Sequence, residues 1–339
     1  MIDFIGIENF TKLTTVGQEV MGFPNLFDSR DSLVEFGGRV CYKSIDKMGY
    51  SKNFIEARMN EGHYDIAEHF WIVVKFQETN KNISVIKEFL YNVLEKIPHI
   101  KTAIDENGIF YIAGNGRTWQ DFIKVFGWYF GEDDMDQIRF CAPKTLGFKL
   151  GENKGLTDLN FLENYSQVYN SARAENKYGQ EVVLMGLMPS SGNSKKFASA
   201  TFYIKGISRS LTHQMVRHRL LSFSQESQRY VSLEKGEWGY IIPDDIYLNP
   251  DLFFKYDEWW ANTKEFYEGL RNAKIKKEDA RFVLPNAIET SLLVTGGLDG
   301  WKHFFKLRCA KDAQWEIRAL AEMMRGLLGE HIEESVLKG

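Results

Sequence analysis

The run from Arg217 to Val231, RHRLLSFSQESQRYV, gathers groups suited to gripping an anionic, planar ligand. Gln214, Arg217 and His218 fall at i, i+3 and i+4, so on a helix they share one face. An amide, a guanidinium and an imidazole make poor core there. They make good contacts for phosphates and rings, because the guanidinium fork matches phosphate oxygens and also stacks on planar groups. Ser227 and Arg229 add a hydroxyl and a further fork from the segment that follows, and loops held by rigid elements are where binding groups concentrate. A basic triplet alone has a plainer reading, since cations at a helix C-terminus are favoured by the macrodipole whatever the function.

Positioning this set requires a helix that leads into the triplet. Ser208 is placed to cap the helix SRSLTHQMVRHR, and KFASATFYIKGI before it predicts a strand. The following LLSFSQESQRYVSL loses helical periodicity and predicts a loop. Upstream, helices are expected around VEFGGRVCYKS and SKNFIEARMNEG. The residues from Phe70 to Phe76, apolar except for Lys75, predict a strand buried on both faces. SVIKEFLYNVLEKI predicts a helix, another follows GNGRTW, and PSSGNSKK predicts a loop. Residues 251–280 predict helix. So does the last third from EDARFVLP to AEMMRGLL, broken by the glycines of TGGLDG. No Pro/Ser-rich linker divides the chain. The expectation is one α/β (α+β) domain spanning 1–339, a mixed or antiparallel sheet packed with helices, with a helical insertion at about 77–195.

Composition narrows the classes of function. The chain has 339 residues, 44% of them apolar, enough to bury a core. A formal net charge of -4 supplies no global field for holding a nucleic acid polymer. The three cysteines, Cys41, Cys141 and Cys309, form neither a CxxC pair nor a zinc spacing. Their low, odd number points to free thiols in a reducing, cytoplasmic setting, and no metal site is expected. The N-terminus lacks the basic and apolar regions of a signal peptide, and no apolar run is long enough to span a membrane.

RHR, seven residues from Leu220 to Glu226, then Ser227, one residue and Arg-Tyr resembles the signature of the flavin-dependent thymidylate synthases. The resemblance extends outward in order. GHYDIAEHFWIVVKF (62–76) is similar to that family's Gly-His-x-Ser-x-x-Glu-His segment and the strand after it. ATFYIKGISRSLTHQMVRHR (200–219) is similar to the strand and helix that lead into the signature. DARFVLP (279–285) and LRCAKDAQWEIR (307–318) resemble its two C-terminal blocks.

The resemblance implies an FAD enzyme that methylates C5 of dUMP to give dTMP, taking the carbon from methylenetetrahydrofolate and reducing power from NADPH. It implies that Arg217, His218, Arg219 and Leu220 meet the flavin, with Cys41, His303, Leu307 and Asp312 at cofactor positions and His63 over the ring. Gln214, Gln225, Ser227, Gln228, Arg229 and Arg281 would meet the nucleotide. So would Arg308, reached from a neighbouring subunit of a homotetramer. Arg308, Ser227 and His63 are the candidates for catalytic contact, Ser227 as a binding or orienting group rather than a nucleophile. Glu68 and His69 resemble a family pair with a mainly structural role.

The chain departs from the pattern at 296–304. The family's Gly-Asn-x-Arg-x-Trp-x-x-Phe reads Gly296-Gly297-Leu298-Asp299-Gly300-Trp301-Lys302-His303-Phe304 here. A carboxylate at the arginine position repels a pyrophosphate. The same spacing recurs at Gly114-Asn115-Gly116-Arg117-Thr118-Trp119-Gln120-Asp121-Phe122 with both polar residues present. Asn115 and Arg117 are therefore expected to replace the missing pair at the FAD. Two other readings compete: a sister enzyme that methylates or hydroxymethylates UMP or another uridine nucleotide, and a non-enzymatic nucleic-acid-binding module using RHR and aromatics.

Overall fold

The computed structural model describes residues 2–22, 29–49, 51–139, 173–188, 197–231 and 239–332. Helices and antiparallel sheets alternate, a mixed α/β fold as expected. The first sheet runs β1 (Ile2–Phe10), β3 (Trp71–Glu78), β5 (Ile109–Asn115), β4 (Lys101–Ile104). The second runs β2 (Lys12–Leu13), β7 (Glu181–Met188), β8 (Ser199–Ser208), β10 (Glu289–Gly297), β9 (Leu221–Gln225), with β6 (Arg173–Glu175) also paired to β7. Residues 77–195, expected as an insertion, thus contribute strands to both sheets: β4 and β5 to the first, β6 and β7 to the second. The PSSGNSKK segment and Cys141 lie outside the described residues.

β3 is buried on both faces, as its apolar run requires. Ile72, Val74 and Phe76 share a core with Ile86 and Phe89 of helix Ile83–Lys96 and Trp119 and Phe122 of helix Gly116–Phe126. Trp71 and Val73 pack the other way, on Met188 and Phe197. The second sheet is sandwiched too. Leu33 and Phe36 of helix Ser29–Cys41 cover Val183, Met185 and Tyr203, while Trp301, Phe304 and Ile317 cover Leu184, Phe202 and Val294. Helices Leu298–Arg308 and Trp315–Gly329 supply that second layer. Among the described residues no helix is long and apolar enough to cross a membrane.

Two segments differ from the sequence reading. Glu289–Gly297, expected within a helical region, is a strand central to the second sheet. Its Leu-Leu-Val-Thr stretch is buried on both faces, a pattern that periodicity alone does not separate from a buried helix. Leu221–Gln225, expected as loop, is the edge strand paired to it. There Ser224 is buried while Phe223 is half-buried, because Ser224 has a polar partner inside.

Candidate active site

The signature helix is short, Arg209–Met215, capped as expected by Ser208, whose side chain accepts from the Leu211 amide. Ser208 is itself held by Glu316, which accepts from its amide at 2.7 Å and its hydroxyl at 2.6 Å. The helix stops before the triplet, so Gln214, Arg217 and His218 do not form one helical face. The chain turns instead, with the His218 amide bonded to the Met215 carbonyl. Arg217 and Arg219 point to solvent and His218 goes inside, against Phe304 at 5.0 Å and His303 at 5.6 Å. Packing the ring on buried Phe304 favours that inward turn.

Arg308 closes over this turn within the same chain. Its Nε donates to His218 Nε2 at 2.9 Å, and its other nitrogens reach Gln214 Oε1 and the Gln214 carbonyl. Burial first, then the Arg308 and His303 charges, lower His218 to about 4, so it is a neutral acceptor at pH 7. Burial and neighbouring Arg217 lower Arg308 as well. His303 and Leu307 are exposed on the same helix, and Asp312 is exposed beyond it.

Beside the triplet lies a cleft of about 480 Å³. One wall is Arg219-Leu220-Leu221-Ser222 with Gly297, Asp299 and Gly300; the other is Pro98-His99-Ile100-Lys101 with Asn115, Arg117 and Thr118. Trp71 and Glu68 also line it. Both copies of the repeated glycine–tryptophan pattern therefore meet in one cleft. Glu68 bridges the walls, accepting from Arg117 at 2.8 Å and from the Ser222 hydroxyl at 2.7 Å. Lys101 binds Asp299 at 2.9 Å. Asn115 caps its helix, its Oδ1 accepting from the Thr118 amide and hydroxyl. Two buried atoms have no hydrogen-bond partner among the described residues: Trp71 Nε1 on the cleft wall and His218 Nδ1 in the adjoining signature turn. Leaving buried polar atoms unpaired is costly, and a bound polar ligand is one way to satisfy them.

A second group lies across the signature loop. The Ser227 amide donates to the Cys41 carbonyl at 2.9 Å, and the Ser227 hydroxyl accepts from the Arg229 amide. His63 stacks on Tyr42 at 6.1 Å, and Tyr42 lies 4.7 Å from Tyr230. Arg229 and Arg281 converge on Glu278, the first on its carboxylate and the second on its carbonyl. Gln225 donates to the Thr212 hydroxyl, and Gln228 is half-buried nearby in sequence.

The structure thus brings together Gln214, His218, Arg308 and His303 as one cluster, and Cys41, Ser227, Tyr230 and His63 as another. Arg219, Leu220, Asn115 and Arg117 form the cleft. Asp312 makes no hydrogen bond or ion pair with any of them among the described residues. Sequence reasoning missed Lys101, His99 and Trp71 as cleft residues. Pro98 to Lys101 carries no motif, and only the strand pairing of β4 with β5 places it.

Comparison with known proteins agrees with the signature. Residues 164–332 match the family model described as thymidylate synthase complementing protein. A flavin-dependent thymidylate synthase of Pyrococcus furiosus is 42% identical over 149 residues, 43% of this chain and 57% of that protein. One of Geobacter sulfurreducens is 44% identical over 133 residues, 39% and 57% of the two chains. One of Corynebacterium efficiens is 45% identical over 139 residues, 37% and 55%. The matched region covers a little over half the length of these curated relatives. With the signature, its supporting helix and both C-terminal blocks inside the matched region, the chain is similar to the flavin-dependent thymidylate synthases over residues 164–332.

Proposed function

We propose that the protein is a flavin-dependent thymidylate synthase, converting dUMP to dTMP with methylenetetrahydrofolate as carbon donor and NADPH as reductant. The observation that carries this is the signature turn standing against a cleft whose walls hold Arg219, Arg117 and Lys101 beside the unpaired Trp71 Nε1. Those residues fit FAD: an indole and Leu220 offer planar and apolar contact, the cations suit a pyrophosphate, and Trp71 Nε1 seeks an acceptor. Bound flavin supplies the hydride chemistry that side chains lack. The chain's residues bind and orient. Neutral His218, whose Nε2 accepts from Arg308, carries its proton on Nδ1 and presents it as a donor to a ligand. Ser227, Arg229, Arg281 and Gln225 are assigned to the nucleotide, where guanidinium groups neutralise its phosphate and charge developing on the uracil oxygens. His63 and Cys41 lie on the facing side of that loop.

The same reading assigns a single catalytic domain, cytoplasmic location and a homotetramer. The test begins with colour. Purified protein should show oxidised-flavin absorbance and release FAD on denaturation. With dUMP, methylenetetrahydrofolate and NADPH it should form dTMP. Arg308→Ala and Arg229→Ala should each weaken dUMP binding by about 1.5–3 kcal/mol, the worth of a charged hydrogen bond. A colourless protein that also takes up no added FAD refutes the proposal.

A further inference from the structure

The two halves of the chain repeat one another. The first sheet is ordered β1-β3-β5-β4, and four strands of the second are ordered β7-β8-β10-β9. Within these four strands, and leaving out β2 and β6, which extend the second sheet beyond β7, chain order in both is outer strand, inner strand, helix, opposite outer strand, inner strand, helix. The registers coincide at the cleft end of the sheets. Trp71 pairs with Asn115 as Ser199 pairs with Gly297. One of the two bulges of β1, opposite Val74 and Val73, matches the bulge of β7 opposite Phe202 and Thr201; the other β1 bulge, at Phe4/Gly6, and the shift at Thr290/Leu292 are particular to one copy. The Gly116 amide bonds to the Phe70 carbonyl and the Leu298 amide to the Ala198 carbonyl. Trp119 Nε1 bonds to the Ile72 carbonyl at 3.4 Å and Trp301 Nε1 to the Ala200 carbonyl at 3.2 Å. Chance does not give one strand order, one bulge position and the same indole contact together.

The cleft lies between the copies. Lys101 is paired opposite Ala113 and Ser222 opposite Thr295, which makes 98–101 and 219–222 equivalent. Both quartets line the cleft, as do the equivalent pairs Asn115 and Gly297, Arg117 and Asp299. Contacts cross it in both directions. Lys101 of the first copy binds Asp299 of the second, and Ser222 of the second reaches Arg117 of the first through Glu68, which accepts from both. The pattern approximates the isologous contact of two like subunits, with Glu68 interposed on one side. The copies are not equal, however. Where the second has Arg217-His218-Arg219, the first has Lys96-Ile97-Pro98.

We infer that the described residues within 2–139 and 173–332 form two copies of one folding unit, and that the first acts as a built-in partner subunit of the second, supplying half of a single phosphate-flavin cleft with Arg117 and Lys101 as its ligand-facing cations. This rests on the flavin reading above. Lys101 has a second effect there: it neutralises Asp299, which would otherwise repel a phosphate.

The full chain is titrated with FAD, following flavin fluorescence, with the melting temperature of each apo variant as a check on folding. One FAD binds per chain. Arg117→Ala weakens binding roughly tenfold or more, the scale of one charge-assisted contact. Lys101→Ala weakens it too, and Lys101→Ala with Asp299→Ala recovers most of that loss because the bare carboxylate is gone. If an alanine variant fails to fold, Arg117→Gln and Lys101→Gln remove the same charges with less lost packing. Two FAD per chain, or parent affinity in both the Arg117 and Lys101 variants, overturns the inference and leaves the flavin reading standing. A parent that binds no FAD removes both.

Discussion

His69 gives the sharpest handle on how the two halves are joined. It leaves the first half just before β3 and is fully buried. Its Nδ1 lies 2.8 Å from the Thr295 hydroxyl on β10 and its Nε2 2.8 Å from the Ser224 hydroxyl on β9. The proton positions follow from the chain of contacts. The Thr201 hydroxyl donates to the His69 carbonyl, so it accepts from Thr295. Thr295 then accepts from Nδ1–H, and Nε2 is left to accept from Ser224. This arrangement needs a neutral ring. Burial alone pushes His69 down to about 3.

The unfolded chain takes up that proton near pH 6.5, and the folded chain does not until about pH 3. Between those values the unfolded state binds more protons, so stability is full above pH 6.5 and falls as pH drops. The slope is about 1.4 kcal/mol per pH unit, which gives a loss of about 2 kcal/mol from pH 7 to pH 5. His69→Gln removes the titration while keeping a donor and an acceptor. It is expected to be less stable at pH 7, and its deficit should shrink by about 2 kcal/mol at pH 5. Urea unfolding of parent and variant, followed by tryptophan fluorescence at pH 7, 6 and 5, measures the difference; His218 is common to both and cancels. A gap that stays constant across that range would refute the neutral-ring assignment.

Two further outcomes follow from the same region. Cys41 is pushed up to about 12, by burial first and then by Asp65, so a maleimide at pH 8 should label it only when the protein is unfolded; rapid labelling of Cys41 in folded protein would count against this environment. Gly37→Ala would place a methyl 2.5 Å from His69 Cδ2, so it should destabilise by about 1–3 kcal/mol in urea unfolding, and unchanged stability would mean that helix Ser29–Cys41 is free to shift.

Much of the site was legible because its residues carry their own chemistry. The Arg217-to-Tyr230 signature, the Ser208 cap and the buried β3 follow from residue type and period. What stayed hidden depends on partners far away in sequence. Ser224 breaks the alternation of β9 because a histidine 155 residues earlier satisfies it in the core. β10 looks helical until its neighbours on both sides are known. The helical face of Gln214, Arg217 and His218 fails because His218 finds Phe304 and Arg308 inside, contacts that spacing along the signature does not encode.

The repeated glycine–tryptophan–phenylalanine pattern shows the same division between buried and exposed positions. Trp119 and Trp301 are fully buried, and so are Phe122 and Phe304. Each tryptophan docks its helix on a strand carbonyl, so a change of size there opens or overfills a close-packed layer. At Gly296 a Cβ would come within 2.2 Å of Leu221 Cδ2, so a larger residue there requires the leucine side chain to shift. The positions between these anchors face the cleft. There one copy has Arg117 and the other Asp299, one has Pro98 and the other Arg219. Packing holds the anchors, while the cleft residues answer only to the ligand and to each other. A motif scan therefore finds the two copies through their core residues, and finds their difference in function through the charged ones.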